Sequence, residues 1–508
     1  MFKKSSCAGL YVLGAHADLR TLRKGGGSAK VPQSQGQGAQ VSDMAASSPT
    51  AELDGGSRRG RTFMGHPVGL AWLSGSEFWE RFAYYGMQTL LVLYLTHYLL
   101  QPGHIEQVWG FGAFRHFIGA VYGSQSQMAL ASNTAQLYAA LVYVTPLAGG
   151  YIADRLIGRT ATVSIGAIIM VIGTFLLALN STFLIALALL LAGVGCFKGN
   201  IASQVGALYR IDDPRRADGF QIYFLGIQLA VIISPFICGT LGQRVDWHLG
   251  FVAAGVGMVF GLAIYLTGRR NYPPEPIKTK GDHVERPPLT AHDWKAVILL
   301  VALLPVLAVS IVGNQEIFDA YFVWGEKTFQ TVFFGFNMPI TYLASLDAFV
   351  SAVTMVGVIA FWRWYGQRWR EPAEITKMVI GVAISATGPL VLAGCALVAD
   401  TQHVRVPLYW ALGFHILNDI GFANVLPVGL ALYSRAAPKG LGGVMIAIYY
   451  IHLFMGNLLT GYLGGLLGTM PNTTFWLMHV ILMAIAGAVL LVARVLFGSF
   501  LVPKTEKP

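Results

Sequence analysis

Charged side chains standing where charge is costly are the residues of this chain best suited to chemistry. In EFWERFAYYGM, Glu77, Glu80 and Arg81 interrupt a long apolar run at spacings of three and four, which on a helix sets Glu77 beside both others on one face. An ionised side chain at the centre of a bilayer costs on the order of 2.5–3.5 kcal/mol on insertion scales, so each needs a partner or a water-filled cavity. Two carboxylates that share one guanidinium are suited to binding a proton, because both cannot stay easily ionised. A trio that neutralises itself and only pins its helix to the neighbours is the plainer alternative. Tyr84 and Tyr85 follow one turn later with hydroxyl groups able to hold a polar ligand.

Lys198 stands at the end of LLLAGVGCFKGN, whose glycines permit close helix packing; its position late in an apolar run also fits snorkelling to the membrane surface. Glu316, Asp319, Asp347 and Asp419 are the other acids inside apolar runs, of which Asp319 and Asp347 fit a place at the outer interface equally well. Cys7, Cys196, Cys238 and Cys395 are scattered without CxxC spacing and read as core packing rather than disulfide or metal ligands. There is no GxxxxGK[ST] phosphate loop, no HExxH and no GxSxG, so no soluble-type enzyme chemistry is supported and no metal or organic cofactor is expected.

The elements that carry these side chains are membrane helices. Only 12% of the 508 residues are charged and 55% are hydrophobic, where a soluble domain carries about a quarter charged. Apolar runs of roughly 20 residues, enough to cross a hydrocarbon core, recur from Ala71 onward. About twelve are predicted, at 72–98, 134–153, 161–179, 182–205, 219–241, 249–268, 295–323, 342–364, 376–398, 407–432, 442–467 and 475–499. Basic residues alternate between the loops: Arg155 and Arg159, then Arg210, Arg215 and Arg216, then Arg269 to Arg286, then Arg363, Arg368 and Arg370, then Arg435 and Lys439 lie on one side. The opposite loops offer little beyond Arg115, Arg244, Lys327 and Arg405, so both termini are expected in the cytoplasm. The formal charge of +10 is then mostly topological and does not imply nucleic-acid binding.

Residues 1–62, rich in Gly, Ser, Ala and Gln, are expected to form a disordered cytoplasmic tail; the first residues faintly resemble a secretory signal, a reading opposed by the charge of the later loops. The VWGFGAFRHFIGAVYG stretch between the first two spans is too short and polar to cross and is expected along the outer interface. A linker over 269–293 divides six spans (63–268) from six (294–501), with a short tail at 502–508. Two bundles of six imply an all-α membrane protein of the transporter kind, with its site between the bundles near the midplane.

EFWERFAYYGM resembles the first-span ExxERFxYYG motif of the proton-dependent oligopeptide transporters, the peptide branch of the major facilitator superfamily. GGYIADRLIGR resembles the superfamily's cytoplasmic loop motif, FKGNIASQVGALY the family's fourth-span lysine motif, RRADGF with WHLGFVAAGVGM its fifth and sixth spans, and LPVGLALYSRAAPKGLGGVM its tenth and eleventh. The resemblance runs from about Gly65 to the end of the chain and implies a major facilitator fold. It assigns proton coupling to Glu77, Glu80 and Arg81, the peptide pocket to Tyr84 and Tyr85, a substrate carboxylate to Lys198, and a latch between the bundles to Asp154 and Arg155. The departures are informative. The family arginine after YYG is Gln88 here and its seventh-span glutamate partner is Asn314, so both members of an ion pair are neutralised together and an amide pair could keep the contact. The eighth-span asparagine is Asp347, the tenth-span glutamate is Phe422 with Asp419 one turn further out, and the fifth-span asparagine is Gln228.

These features imply a monomeric importer of di- or tripeptides, or peptide-like solutes, in the cell membrane, with the proton as coupling ion, Lys198 attracting the substrate carboxylate and Asp347 its amino group. A proton-independent facilitator or exporter of another polar solute stands as the alternative, since Gln88, Asn314 and Phe422 remove three ionisable positions. A non-transporting receptor is the third reading, disfavoured by the intact loop motif.

Overall fold

The computed structural model describes residues 62–123, 126–210, 212–274, 290–438 and 441–501. The expected tails and most of the expected linker lie outside these residues. Among the described residues twelve long helical spans follow one another, with two short antiparallel hairpins, Thr62–Phe63 with His66–Pro67 and Val332–Phe333 with Phe336–Asn337.

Span 1 is Gly69–Tyr94, span 2 Gln127–Ile152, span 3 Arg159–Leu176, span 4 Phe183–Ala207, span 5 Arg215–Ser234 and span 6 Trp247–Gly268. Span 7 starts as Ala291–Ser310, span 8 is Tyr342–Gly366, span 9 Glu374–Gln402, span 10 Tyr409–Arg435, span 11 Gly442–Gly464 and span 12 Asn472–Leu501. Ten of these are long and apolar enough to cross a membrane. Spans 1 and 2 are equally long, 26 residues each, but carry buried polar side chains: Glu77, Glu80 and Arg81 in one, Ser132, Asn133 and Gln136 in the other. The chain is a multi-pass membrane protein. On span 12, Ile481, Ile485, Val489, Val492 and Val495 are exposed at helical spacing, a stripe suited to lipid rather than water.

Polar caps start several spans. Ser126 accepts the Ala129 N–H ahead of span 2, Asp246 accepts the His248 N–H ahead of span 6, and Thr290 and Asp293 form a reciprocal capping box ahead of span 7. Gly158, at φ 82°, makes the left-handed turn from span 2 into span 3. The short helix Phe111–Tyr122 buries Phe111 and Ile118 and exposes Phe117 and Val121, so it lies against the bundle without crossing.

Span 7 departs from the single run predicted over 295–323. It breaks at Ile311, turns through Val312–Gln315 and a 3-10 turn over Glu316–Phe318, and resumes as Ala320–Thr328. Non-helical backbone at membrane depth is tolerated only where protein surrounds it. Here Glu316 is fully buried and its Oε2 accepts the Ala320 N–H at 3.3 Å, supplying one of the partners the broken ladder lacks.

The spans pack as two sets. Span 1 lies on spans 5 and 6, span 4 on spans 2 and 3; span 9 lies on spans 10 and 12, span 8 on span 10, span 7 on spans 11 and 12. Spans 2 and 4 approach so closely that a Cβ on Gly149 would lie 1.9 Å from the Gly195 carbonyl oxygen. The halves meet where span 2 packs on span 11 and span 5 on span 8. Polar contacts between the halves cluster at the end away from the chain termini: Ser345 with the Ile232 carbonyl, Tyr342 with Thr240, Thr341 with Gln243, His97 with Glu326, and Ser132 with Asp319.

Candidate functional site

The first-span trio is buried as a unit, with side chains at most 4% exposed. Spacing alone sets Glu77 between the other two; the structure puts Arg81 there instead. Its Nε is 3.2 Å from Glu77 Oε1 and 2.5 Å from Glu80 Oε2, while Nη2 donates to Glu80 Oε1 at 2.8 Å. Neighbours in sequence point about 100° apart on a helix and do not normally face each other. Long side chains with no water to solvate them bend around the helix to meet, and the fork geometry of guanidinium and carboxylate rewards it with two parallel bonds. Arg81 also lies over the Tyr84 ring, 5.2 Å from its centroid. Two carboxylates against one guanidinium leave a formal charge of −1, and Glu77 Oε2 is buried without a hydrogen-bond partner, the Tyr223 side chain lying nearby.

Lys198 is half-buried on span 4, over the Tyr143 ring at 5.0 Å and within electrostatic reach of Glu77, Glu80 and Arg81. It makes no ion pair among the described residues. Tyr85 sits between this group and the other half: it lies within reach of the Arg81 and Asp347 charges, and its ring packs 6.2 Å from that of Phe318 in span 7.

In the other half, Asp347 of span 8 and Asp419 of span 10 come together around a residue that the sequence did not single out. His415 Nδ1 is 2.9 Å from Asp347 Oδ1, and its Nε2 is 3.1 Å from the Tyr321 hydroxyl. Asp419 follows His415 by four residues, one turn along the same face. A donor atom from each of Asp347, His415 and Asp419 lies within 4.8 Å of the other two. Asn418 Nδ2 donates to Asp419 Oδ1 at 3.2 Å, and Asp419 Oδ2 is buried without a partner.

A second histidine escaped the sequence in the same way. His479 of span 12 is fully buried with Nε2 2.9 Å from Glu316 Oε1. Asp319 is equally buried, and the side chain of Asp347 is 13% exposed, so protein surrounds both acids. Asp319 meets Ser132 Oγ across the halves, and that hydroxyl is also 2.9 Å from the Gly461 carbonyl oxygen. The hydroxyl proton is shared between these two acceptors or, where Asp319 is protonated, Asp319 donates to Ser132 and Ser132 to the Gly461 carbonyl. A Cβ on Gly464 would lie 2.5 Å from Asp319 Oδ2 and 2.6 Å from Ser132 Oγ, which is why the bare glycine stands there.

The amide pair does not form as expected: Gln88 is buried with its Oε1 unpartnered, and Asn314 is half-buried in the broken stretch of span 7. A neutral amide lacks the Coulomb attraction that would draw such a pair together. Gln228 is half-buried on span 5, and Phe422 packs against the apolar core of the second half. Asp154 and Arg155 are exposed; Asp154 pairs with Arg159 at 3.4 Å and, among the described residues, makes no ion pair with the other half.

Two six-helix halves with buried charge between them make a fold of the major facilitator kind, and the comparisons with known proteins agree with that fold. A di-/tripeptide transporter of Lactococcus lactis subsp. lactis (strain IL1403) is 29% identical, covering 85% of this chain and 96% of that protein. A peptide transporter of Yersinia enterocolitica is 26% identical over 80% of this chain and 89% of its own length. Among solved structures, the peptide transporter POT in complex with sulfate superposes with a TM-score of 0.73 at 23% identity, covering 87% of this chain and 97% of that one. A POT family transporter in complex with 5-aminolevulinic acid gives 0.71 at 22% identity, over 87% and 98%. The model of the POT family matches residues 160–285. The chain is thus similar to POT family peptide transporters over most of its length, and the relatives it matches are transporters rather than enzymes.

Proposed function

We propose that this protein imports di- and tripeptides, or peptide-like amphoteric solutes, together with protons across the cell membrane by alternating access, as a monomer with both termini in the cytoplasm. The carrying observation is the distribution of charge about the interface between the halves. On one side stand the buried Glu77, Glu80 and Arg81 with the unpaired ammonium of Lys198 near them; on the other stand Asp347 and Asp419. A zwitterion with its carboxylate toward Lys198 and its ammonium toward Asp347 neutralises both sides, which lowers the cost of bringing the halves together around it. Tyr85, within reach of both Arg81 and Asp347, and Tyr84 beside Arg81 would line the space for such a substrate. Gln88, Asn314 and Gln228 offer uncharged amides to the backbone of such a substrate. The peptide substrates named for the relatives, and 5-aminolevulinic acid as a ligand of a structural neighbour, fit a pocket for small solutes carrying both charges.

Proton coupling rests on the trio, whose formal −1 charge supplies a carboxylate able to take and release a proton while Arg81 holds the other. The closed end away from the termini and the unlatched Asp154 on the other side fit a state open toward the cytoplasm. Uptake of labelled dialanine into proteoliposomes under an imposed acid-outside gradient tests the proposal. Uptake above that of empty vesicles, abolished when the gradient is collapsed, supports it. Uptake indifferent to the gradient favours a facilitator in its place, and no uptake of any small peptide overturns the substrate reading.

A further inference from the structure

Two carboxylates and an imidazole converge on one point in the second half of the molecule, and no lysine or arginine pairs with any of them among the described residues. A proton on His415 would balance Asp347, 2.9 Å away, and leave Asp419 with a buried oxygen that has no hydrogen-bond partner. A divalent cation balances both acids. The geometry points to a zinc-class metal site formed by Asp347, His415 and Asp419: a borderline divalent ion held by one imidazole nitrogen and two carboxylate oxygens, with a fourth position open.

Three features of the surroundings suit such an ion. His415 and Asp419 are four residues apart on span 10, which stacks two donors on one helical face, and Asp347 on span 8 closes the third corner. The donors lie within 4.8 Å of one another, whereas a tetrahedral zinc at its usual bond lengths sets them roughly 3.4 Å apart. Binding would open the His415–Asp347 pair slightly from 2.9 Å and draw Asp419 inward, whose Oδ2 has no hydrogen bond to give up. The supporting contacts are those that orient metal ligands: the Tyr321 hydroxyl lies 3.1 Å from His415 Nε2, where it can accept that N–H once a metal takes Nδ1, and Asn418 holds the other oxygen of Asp419. With no thiolate in the set, a soft ion such as Cu(I) is disfavoured. The site does not depend on peptide transport, although Asp347 is shared with the proposed amino-end contact, so a metal ion and a substrate ammonium are alternative occupants of that carboxylate.

The test uses the full-length chain purified in detergent, stripped with a chelator, and titrated with Zn²⁺ by calorimetry with metal content read by mass spectrometry. Co²⁺ serves as a spectroscopic probe of coordination. The parent is expected to retain about one Zn²⁺ per chain and to give the intense visible bands of low-coordinate Co²⁺. His415→Gln and the isosteric Asp419→Asn are each expected to weaken binding by roughly tenfold or more and to lose those bands, at unchanged elution and melting in the metal-free state. A parent that retains no stoichiometric zinc overturns the assignment. So does a parent whose zinc is kept equally by either folded variant, since the ion would then sit on exposed histidines such as His403 or His97.

Discussion

Removing the imidazole of His479 should destabilise the protein far more than neutralising its partner. His479 Nδ1 lies 2.9 Å from the Phe475 carbonyl oxygen, which can only accept, so that nitrogen carries a hydrogen. The contact of Nε2 with Glu316 Oε1 at 2.9 Å then needs one further proton, held by the imidazole or by the carboxyl. Either way the pair is neutral overall, and both side chains are 0% exposed. Glu316→Gln keeps a neutral partner of the same shape and loses one hydrogen bond's difference in strength, about 1 kcal/mol. His479→Ala leaves a buried carboxyl with an unfilled cavity, and breaking a buried pair from one side costs about 3–5 kcal/mol. The double variant Glu316→Gln with His479→Ala should recover about half of that, because a neutral amide is cheaper to bury alone than a carboxylate. Thermal unfolding in detergent, followed with a thiol-reactive dye, reads the difference through Cys238 and Cys395, which are free and buried until the spans separate. The reasoning is refuted if His479→Ala melts no earlier than Glu316→Gln, or if the double variant is the sum of the two singles.

Glu80→Gln removes one carboxylate of the trio while Glu77 still holds Arg81 at 3.2 Å, so gradient-driven uptake should fall to the level of collapsed-gradient controls while peptide exchange at equal pH persists; counterflow assays separate the two. Lys198→Ala removes the cation assigned to the substrate carboxylate and should raise the KM of free peptides roughly tenfold or more, with little change for peptides amidated at the C-terminus, as a competition assay with paired substrates would show. Ser132→Ala breaks the contact between the halves at Asp319, whereas Asp319→Asn keeps a donor in place; spin labels across the end away from the termini should report opening in the first variant only. Gly464→Val places a side chain where Asp319 and Ser132 meet and should open the same end.

What was legible from the sequence was whatever broke the rules of an apolar span. Glu77, Glu80, Arg81 and Lys198 announce themselves because a charge in lipid is expensive, and the twelve spans follow from length and composition. The histidines did not. A neutral imidazole carries no such penalty, so His415 and His479 looked like ordinary members of apolar runs, although the four-residue step from His415 to Asp419 was a usable signal. Their meaning depends on which spans adjoin, and one-dimensional spacing cannot place span 10 beside span 8 or span 12 beside span 7. The break in span 7 was hidden for a related reason. Its average hydropathy is that of a continuous helix, and only the buried Glu316, which caps the resumed segment, makes the interruption tolerable.

That interruption divides one span into an anchor and a movable forearm. The Ala291–Ser310 segment packs against spans 11 and 12, while Ala320–Thr328 reaches the far end, where Glu326 pairs with His97, in the turn that follows span 1, at 2.8 Å. In the alternating-access cycle proposed above, an elbow at this place would serve as a hinge for the tip, separate from rocking of the two bundles. Cysteines introduced at positions 97 and 326 would therefore arrest one stroke of the cycle and leave the cytoplasmic mouth free to breathe, turning a transporter into a one-sided vestibule.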